Sequence, residues 1–378
     1  MFCCRLTVFL PMLLFLCCLR PVCAAEPGTW AGFKEEFITA EGRVIDRHQQ
    51  GISHSEGQGY SMLLAVAFDD RKTFSLLWQW TKGHLQVRKT DALSAWSWGK
   101  LPNGAMAPID FNNASDGDIC IAWALLLARE KWNLPTLQDE ASRILSSIRS
   151  YLLLEKFGKT LLLPGYYGFA HTDTVTVNPS YLVLPAFKVF GRYGDRVLWQ
   201  RVYDESLSLL KETSFGSWQL PADWLFLSED GVTLLAEKPP LFGYEAIRVF
   251  LWTCWDDFPV SLPGTKMLVD LIESSGRFPV TVDLNTDSFS EQDAPGGFVA
   301  IAANCARQLD RKKLAKTLWL QAEQKIQQEG GIIIHRFSIF WPVPGGFHEL
   351  SEWNLFCNCR TLLELPASRY GNGSDPTL

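Results

Sequence analysis

Basic charge is in short supply along this chain. Against 41 Asp and Glu it carries 35 Lys and Arg, a net charge of −6 over 378 residues, and no block of like charges occurs. Without a basic stripe to neutralise phosphates, nucleic-acid binding is excluded, and a polyanionic substrate is disfavoured on the same ground. Long apolar runs are also missing, with one N-terminal exception, which excludes a multi-pass membrane protein. No C-x-x-C pair and no H-E-x-x-H occurs, and the six His are scattered. Neither a metal nor any other cofactor is expected. What the chain does have is apolar and aromatic bulk: 47% hydrophobic residues, only 20% charged, and 15 Trp. That composition belongs to a folded globular protein with a large core.

The N-terminal exception reads as an export leader. A short positive start ends at Arg5, residues 6–19 are apolar, and the small-residue stretch Val22-Cys23-Ala24-Ala25 follows Arg20 and Pro21. The apolar run falls short of the roughly 20 residues that span a bilayer, so cleavage near Ala25 is expected, with residues 26–378 as one domain, periplasmic or secreted and without stable membrane insertion. Removing residues 1–25 takes Arg5 and Arg20 and shifts the net charge from −6 to −8. It also leaves five Cys: Cys120, Cys254, Cys305, Cys357 and Cys359. An odd, scattered set is not a disulfide framework.

Beyond the leader, apolar residues recur at helical spacing. Ile119, Ala122, Leu125, Leu126 and Ala128 mark one face over residues 116–132, and similar patterns predict helices over 59–69, 73–85, 138–155, 180–192, 195–213, 244–255, 264–274, 296–309 and 311–329. The connecting segments 97–113, 163–179, 214–224 and 237–243 are rich in Gly, Pro and aromatics. A strand is expected only near 160–163. About a dozen helices in antiparallel pairs point to an all-α domain, for which a ring of pairs is one of several packings.

Two acidic positions repeat one pattern. In Ser53-His54-Ser55-Glu56-Gly57-Gln58-Gly59-Tyr60, Ser55 and Gln58 have capping-box spacing, which puts Glu56 in a first turn. In Ala114-Ser115-Asp116-Gly117-Asp118, Ser115 is again the expected N-cap, with Asp116 and Asp118 just inside. The plain explanation is dipole stabilisation of about 0.3–1 kcal/mol each. Flanking glycines and nearby Tyr60, Trp96 and Trp98 suggest more: sugar rings have apolar faces and polar edges, which a cleft of Trp and carboxylates suits. Glycoside hydrolysis also needs two carboxyl groups, one protonated and one ionised.

The run from Ala114 through Trp132 (ASDGDICIAWALLLAREKW) resembles the signature of glycoside hydrolase family 8, in particular the bacterial endo-β-1,4-glucanases that accompany cellulose synthesis. Gly42-Arg43-Val44-Ile45-Asp46, Ser55-Glu56-Gly57-Gln58, Asn178-Pro179-Ser180-Tyr181 and Pro221-Ala222-Asp223-Trp224 match as well. The resemblance runs from about residue 30 to about residue 310. It implies an (α/α)6 barrel of six helix hairpins and hydrolysis of cellulose or a related β-1,4-glucan with inversion, with the cellulose synthase machinery as a partner. Glu56 would then be the general acid, and Asp116 the active-site Asp that grips the sugar. Asp46, Tyr60, Trp96, Trp98, Asn112, Tyr181 and Trp224 would line the cleft.

Two departures accompany the resemblance. Where the family carries its general base as Tyr-Asp-Ala-x-Arg-Val, this chain reads Tyr244-Glu245-Ala246-Ile247-Arg248-Val249, so Glu245 takes the base position with one more methylene. A surface ion pair between Glu245 and Arg248 at i, i+3 is the plain alternative. After about Gln328 the expected Tyr-Tyr-led closing helix is not found; the chain reads Gly330-Gly331-Ile332-Ile333-Ile334-His335 instead. These departures motivate an alternative, a carbohydrate-binding pseudoenzyme of the same fold. A polysaccharide lyase on a helical ring would need a basic cleft for an anionic substrate and ranks last.

Overall fold

The computed structural model describes residues 29–256 and 262–329. The leader and the altered tail, expectations about both included, lie outside these residues. Eleven α-helices occur among them. Five are inner: α2 (Ser55–Ala67), α4 (Ser115–Trp132), α6 (Leu184–Tyr193), α8 (Ile247–Cys254) and α10 (Gly296–Gln308). Six are outer: α1 (Trp30–Phe37), α3 (Arg71–His84), α5 (Thr136–Tyr151), α7 (Arg196–Glu212), α9 (Pro263–Ser275) and α11 (Lys312–Glu329). The inner helices pack in succession, α2 on α4, α4 on α6, α6 on α8 and α8 on α10, and outer helices back onto them. This is the (α/α)6 arrangement.

Burial follows from composition. Along α2 every residue but Glu56 is buried, and along α4 everything from Ser115 to Ala128 is. These helices are apolar or small all round, which only a position inside the ring accommodates. By contrast α3 buries Phe74, Leu77, Trp78, Trp80 and Thr81, and α7 buries Trp199, Val202, Ser206, Leu209 and Leu210, each on one face. The helices α2 and α4 pack closely, and glycine permits it. A Cβ on Gly117 would lie 2.3 Å from Ser55 Oγ, and one on Gly59 would lie 2.8 Å from Cys120 Cβ. That contact brings the first turns of α2 and α4 side by side.

Strands are more numerous than expected, although short, because they form at the mouths of the helix pairs. β1 (Ser53–His54), β2 (Ser97–Lys100) and β3 (Met106–Asp110) make one antiparallel sheet in that order. β4 (Leu153–Lys156) pairs with β5 (Lys159–Leu162), so the helix expected over 138–155 stops at Tyr151 and turns into a hairpin. β6 (Val175–Val177), β7 (Leu225–Ser228) and β8 (Gly231–Leu234) form a second three-stranded sheet. β9 (Leu241–Phe242) pairs with β10 (Val282–Asp283). The helix expected from residue 180 starts at Leu184, after a 3-10 turn over Pro179–Tyr181.

The expected caps are corrected as well. The N-cap of α2 is His54, whose Nδ1 accepts from Gly57 N at 3.1 Å. Gln58 turns inward instead of closing a capping box. Its Oε1 accepts from Val44 N, and its Nε2 donates to Gly42 O, Leu77 O and Thr81 Oγ1. Ser115 is the first helical residue of α4, and the cap, Ala114, offers no side chain.

Candidate active site

Glu56 and Asp116 reach one place because their helices start side by side. Glu245 arrives from the turn just before α8. Between the three stands Arg248, in the first turn of α8, with its side chain 4% exposed. Its Nη1 donates to Glu56 Oε1 and, at 3.0 Å, to Asp116 Oδ2, while Nη2 donates to Glu245 Oε2. In place of the surface ion pair between Glu245 and Arg248 that was the plain alternative, Arg248 is a buried centre holding three carboxylates. A guanidinium suits this position because its donors radiate in a fixed plane and it stays charged when buried.

Each outer carboxylate is anchored through one oxygen. Glu56 Oε1 also accepts from Tyr60 OH at 2.8 Å. Glu245 Oε2 also accepts from Asn178 Nδ2 at 2.9 Å, with Ser180 Oγ at 3.5 Å. Among the described residues neither Glu56 Oε2 nor Glu245 Oε1 has a hydrogen-bond partner, and both side chains are partly exposed, at 25% and 32%. Asp116 is buried, and its Oδ1 accepts from Gly117 N at 2.8 Å.

Burial, then the charge of Glu56, push the Asp116 carboxyl well above the usual carboxylate range, even against Arg248. Burial alone would lower Arg248, but Glu245 and Glu56 outweigh it and raise its pKa, so it remains a cation. Burial and Glu56 likewise hold Tyr60 protonated, and burial and Asp116 do the same for Tyr181. Three carboxyl groups thus share a small space that a single guanidinium cannot fully neutralise.

The expected cleft residues separate into groups. Trp96, Tyr181 and Trp224 are half-buried beside the site. Trp96 O accepts from Ser55 N at 3.0 Å, which sets Trp96 beside Glu56, and its Nε1 donates to Asp110 Oδ2. Tyr181 stacks under Arg248, 5.6 Å from ring centroid to guanidinium, and meets Trp224 edge-on. Trp98, by contrast, is buried and does not line a cleft. A register shift between Ser97 and Trp98 breaks the alternation that would put both rings on one face, and Trp98 packs against Trp80 at 5.3 Å and beneath the Arg43 guanidinium at 4.6 Å. Tyr60 is fully buried and reaches the site only through its hydroxyl. Asn112 joins two loops, since its side chain exchanges hydrogen bonds with the backbone of Tyr167. Asp46 is 5% exposed and accepts from His54 Nε2 at 3.1 Å and from the His48 backbone at 2.9 Å. It acts on the site by orienting the His54 that caps α2.

Several site residues escaped sequence reasoning. Arg248 appeared only as an ion-pair partner, and Asn178 and Ser180 only inside a matching segment. Asp118 accepts from Ser94 N at 2.7 Å and Asn113 Nδ2 at 2.9 Å, tying the Trp96 segment to the loop before α4. Burial pushes its carboxyl up to about 7. The spacing Asp116-x-Asp118 was visible, but no local signal shows that these two carboxyls face different loops. No group of His, Cys, Asp and Glu suited to a metal occurs among the described residues.

The same fold is found in known proteins. An endoglucanase of Cellulomonas uda is 33% identical over 292 residues, 75% of this chain and 79% of that protein. The crystal structure of endoglucanase Cel10 from Klebsiella pneumoniae, a family 8 glycosyl hydrolase, superposes with a TM-score of 0.70 at 32% identity, covering 78% of this chain and 98% of that one. The endo-beta-1,4-glucanase CMCax from Acetobacter xylinum gives a TM-score of 0.68 at 30% identity, covering 79% and 97%. A profile of glycosyl hydrolases family 8 matches residues 5–318, and the chain belongs to that family and is a glycoside hydrolase.

Proposed function

We propose that this protein is an exported endo-β-1,4-glucanase that cleaves internal bonds of cellulose or a related glucan with inversion, in the service of cellulose synthesis. The observation that carries the reading is the pair of half-anchored carboxylates, Glu56 and Glu245, gripped by one buried guanidinium, each with a second oxygen left open. An acid and a base on one rigid centre, under flanking aromatics, are what a single displacement at an anomeric carbon requires.

Glu56 donates its proton to the glycosidic oxygen as that bond breaks. Asp116 keeps a proton available beside it and holds a sugar hydroxyl. Glu245 Oε1 takes the proton of a water whose oxygen attacks the anomeric carbon from the opposite face. Anchoring of Oε2 by Arg248 and Asn178 fixes the longer Glu side chain, so the extra methylene does not leave the base free to wander. Trp96, Tyr181 and Trp224 offer faces to successive sugar rings. The endoglucanase names of the relatives support the β-1,4-glucan substrate. Export rests on the leader pattern, and the tie to cellulose synthesis rests on the sequence resemblance.

Carboxymethyl cellulose tests the reading with purified protein. A fast fall in viscosity with few new reducing ends is the expected result. Binding of cello-oligosaccharides without any release of ends would reverse the reading in favour of a carbohydrate-binding pseudoenzyme, for which the Glu at position 245 is the motivating feature.

A further inference from the structure

Asp223 lies in the segment before β7 and belongs to neither the acid nor the base pair. Its Oδ1 accepts from two backbone donors, Gly243 N at 2.9 Å and Ala246 N at 2.8 Å. Those two donors bracket Tyr244 and Glu245. Asp223 N in turn donates to Leu241 O at 2.8 Å, at the start of the same turn. The other carboxylate oxygen, Oδ2, faces Gly243 so closely that a Cβ there would lie 3.0 Å away, with Thr281 Cγ2 at 3.2 Å on the other side. One carboxylate therefore fixes the entry and exit of the turn that carries Glu245.

We infer that Asp223 is a positioning residue for the reaction, clamping the 243–246 turn so that Glu245 is presented with its free oxygen toward the attacking water. The inference rests on the reading of Glu245 as the general base. The turn is the part of the site most in need of such a clamp. Glu56 and Asp116 sit inside helices, which hold them through regular hydrogen bonds, whereas Glu245 precedes α8 and has no helix to hold it. A side chain with one more methylene has one more torsion to restrain, and a displacement of about 1 Å at a reacting group costs on the order of 100-fold in rate. Asp223 also carries charge toward Glu245. Burial and the Glu245 charge push its carboxyl up to about 6, against the pull of the two backbone donors.

Two variants separate clamp from charge. Asp223→Asn keeps an acceptor oxygen for both N–H groups and removes the charge, while Asp223→Ala removes both. With a soluble β-1,4-glucan as substrate, D223A is expected to lower kcat about 10- to 100-fold with KM nearly unchanged. D223N is expected to retain most of kcat, because its amide oxygen still accepts from Gly243 N and Ala246 N. Wild-type kcat in D223A overturns the inference. So does an equal loss of kcat and of melting temperature in D223A and D223N, which would mean support of the fold alone. If D223A does not fold, Asp223→Glu decides: it keeps the carboxylate but shifts it by one methylene, and wild-type kcat in D223E overturns the inference. Glu245→Gln is measured alongside. Wild-type turnover in E245Q brings down the general-base reading, whereas an inactive E245Q with unaffected Asp223 variants brings down only the clamp.

Discussion

Replacing Arg248 by Met is the most demanding test of the centre described above. The Met side chain fills much of the volume but leaves three carboxylates without their shared cation. Glu56 and Glu245 are partly exposed and can turn toward water, but Asp116, at 3% side-chain exposure, cannot. Breaking a buried pair by removing one partner costs about 3–5 kcal/mol. Unfolding entropy of about 2 cal/mol/K per residue converts this to a fall in Tm of roughly 4–7 °C for a chain of this size. The dependence on pH is more specific. Burial and Glu56 already raise Asp116 in the folded state, and loss of Arg248 raises it further. A carboxyl with a folded-state pKa above its unfolded value gives its full stability below the unfolded value and loses it as pH rises through the folded one. The deficit of R248M should therefore be small near pH 4 and grow toward neutrality, as scanning calorimetry across that range would record. An equal deficit at both ends, or a variant as stable as wild type at pH 7.5, would refute the account of Arg248 as the electrostatic keystone of the site.

The acid role predicts that Glu56→Gln lowers kcat by about 100- to 10,000-fold while the protein still binds cello-oligosaccharide and melts normally; reducing-end assays and calorimetric titration read the two effects. Gly117→Ala forces a Cβ to within 2.9 Å of Glu56 N as well as onto Ser55, so both Tm and kcat should fall, with about 1–3 kcal/mol lost from stability by denaturant titration. Gln58→Leu leaves the Val44 N–H without its acceptor in the interior and removes the amide donor to Gly42 O, and urea unfolding should show a loss of about 1–3 kcal/mol. Asp118, pushed up to about 7 by burial, has its folded pKa above its unfolded one, so its contribution to stability declines from about pH 4 to pH 7. Stability curves of Asp118→Asn over that window should be flatter than those of the wild type.

Much of the ring was legible because its signals are local. The 3.6-residue recurrence of apolar side chains located ten of the eleven helices among the described residues, and α4, buried on all sides from Ser115 to Ala128, contrasts with α7, buried along one face. Helix α1 was missed because eight residues give too little periodicity to detect. The strand expected near 160–163 is β5, but the others were missed for a related reason. Segments such as Ser53–His54 and Leu241–Phe242 are two residues long, and their pairing depends on partners some 40 residues away, not on alternation within the segment. The caps failed differently: Ser55 and Gln58 have the spacing of a capping box, but burial of α2 offers Gln58 four interior partners, and His54 takes over the cap.

Chain order and residue type were enough to mark Glu56, Asp116 and Glu245, because helix starts, flanking glycines and family-like motifs are written in consecutive positions. Only tertiary structure could decide what stands between them. Arg248 lies 192 residues from Glu56 and 132 from Asp116, and nothing in its own neighbourhood distinguishes it from a surface arginine three residues after a glutamate. Its burial comes from α8 packing into the ring beside α6 and α10. Tertiary contacts likewise hold Trp98 against Trp80 and the Arg43 guanidinium while Trp96, two residues earlier, stays beside Glu56, because the register shift between Ser97 and Trp98 breaks the alternation that would put both rings on one face. Composition could announce a cleft of carboxylates and aromatics, but which carboxylate oxygens stay open and which rings face outward depends on contacts between residues far apart in the chain.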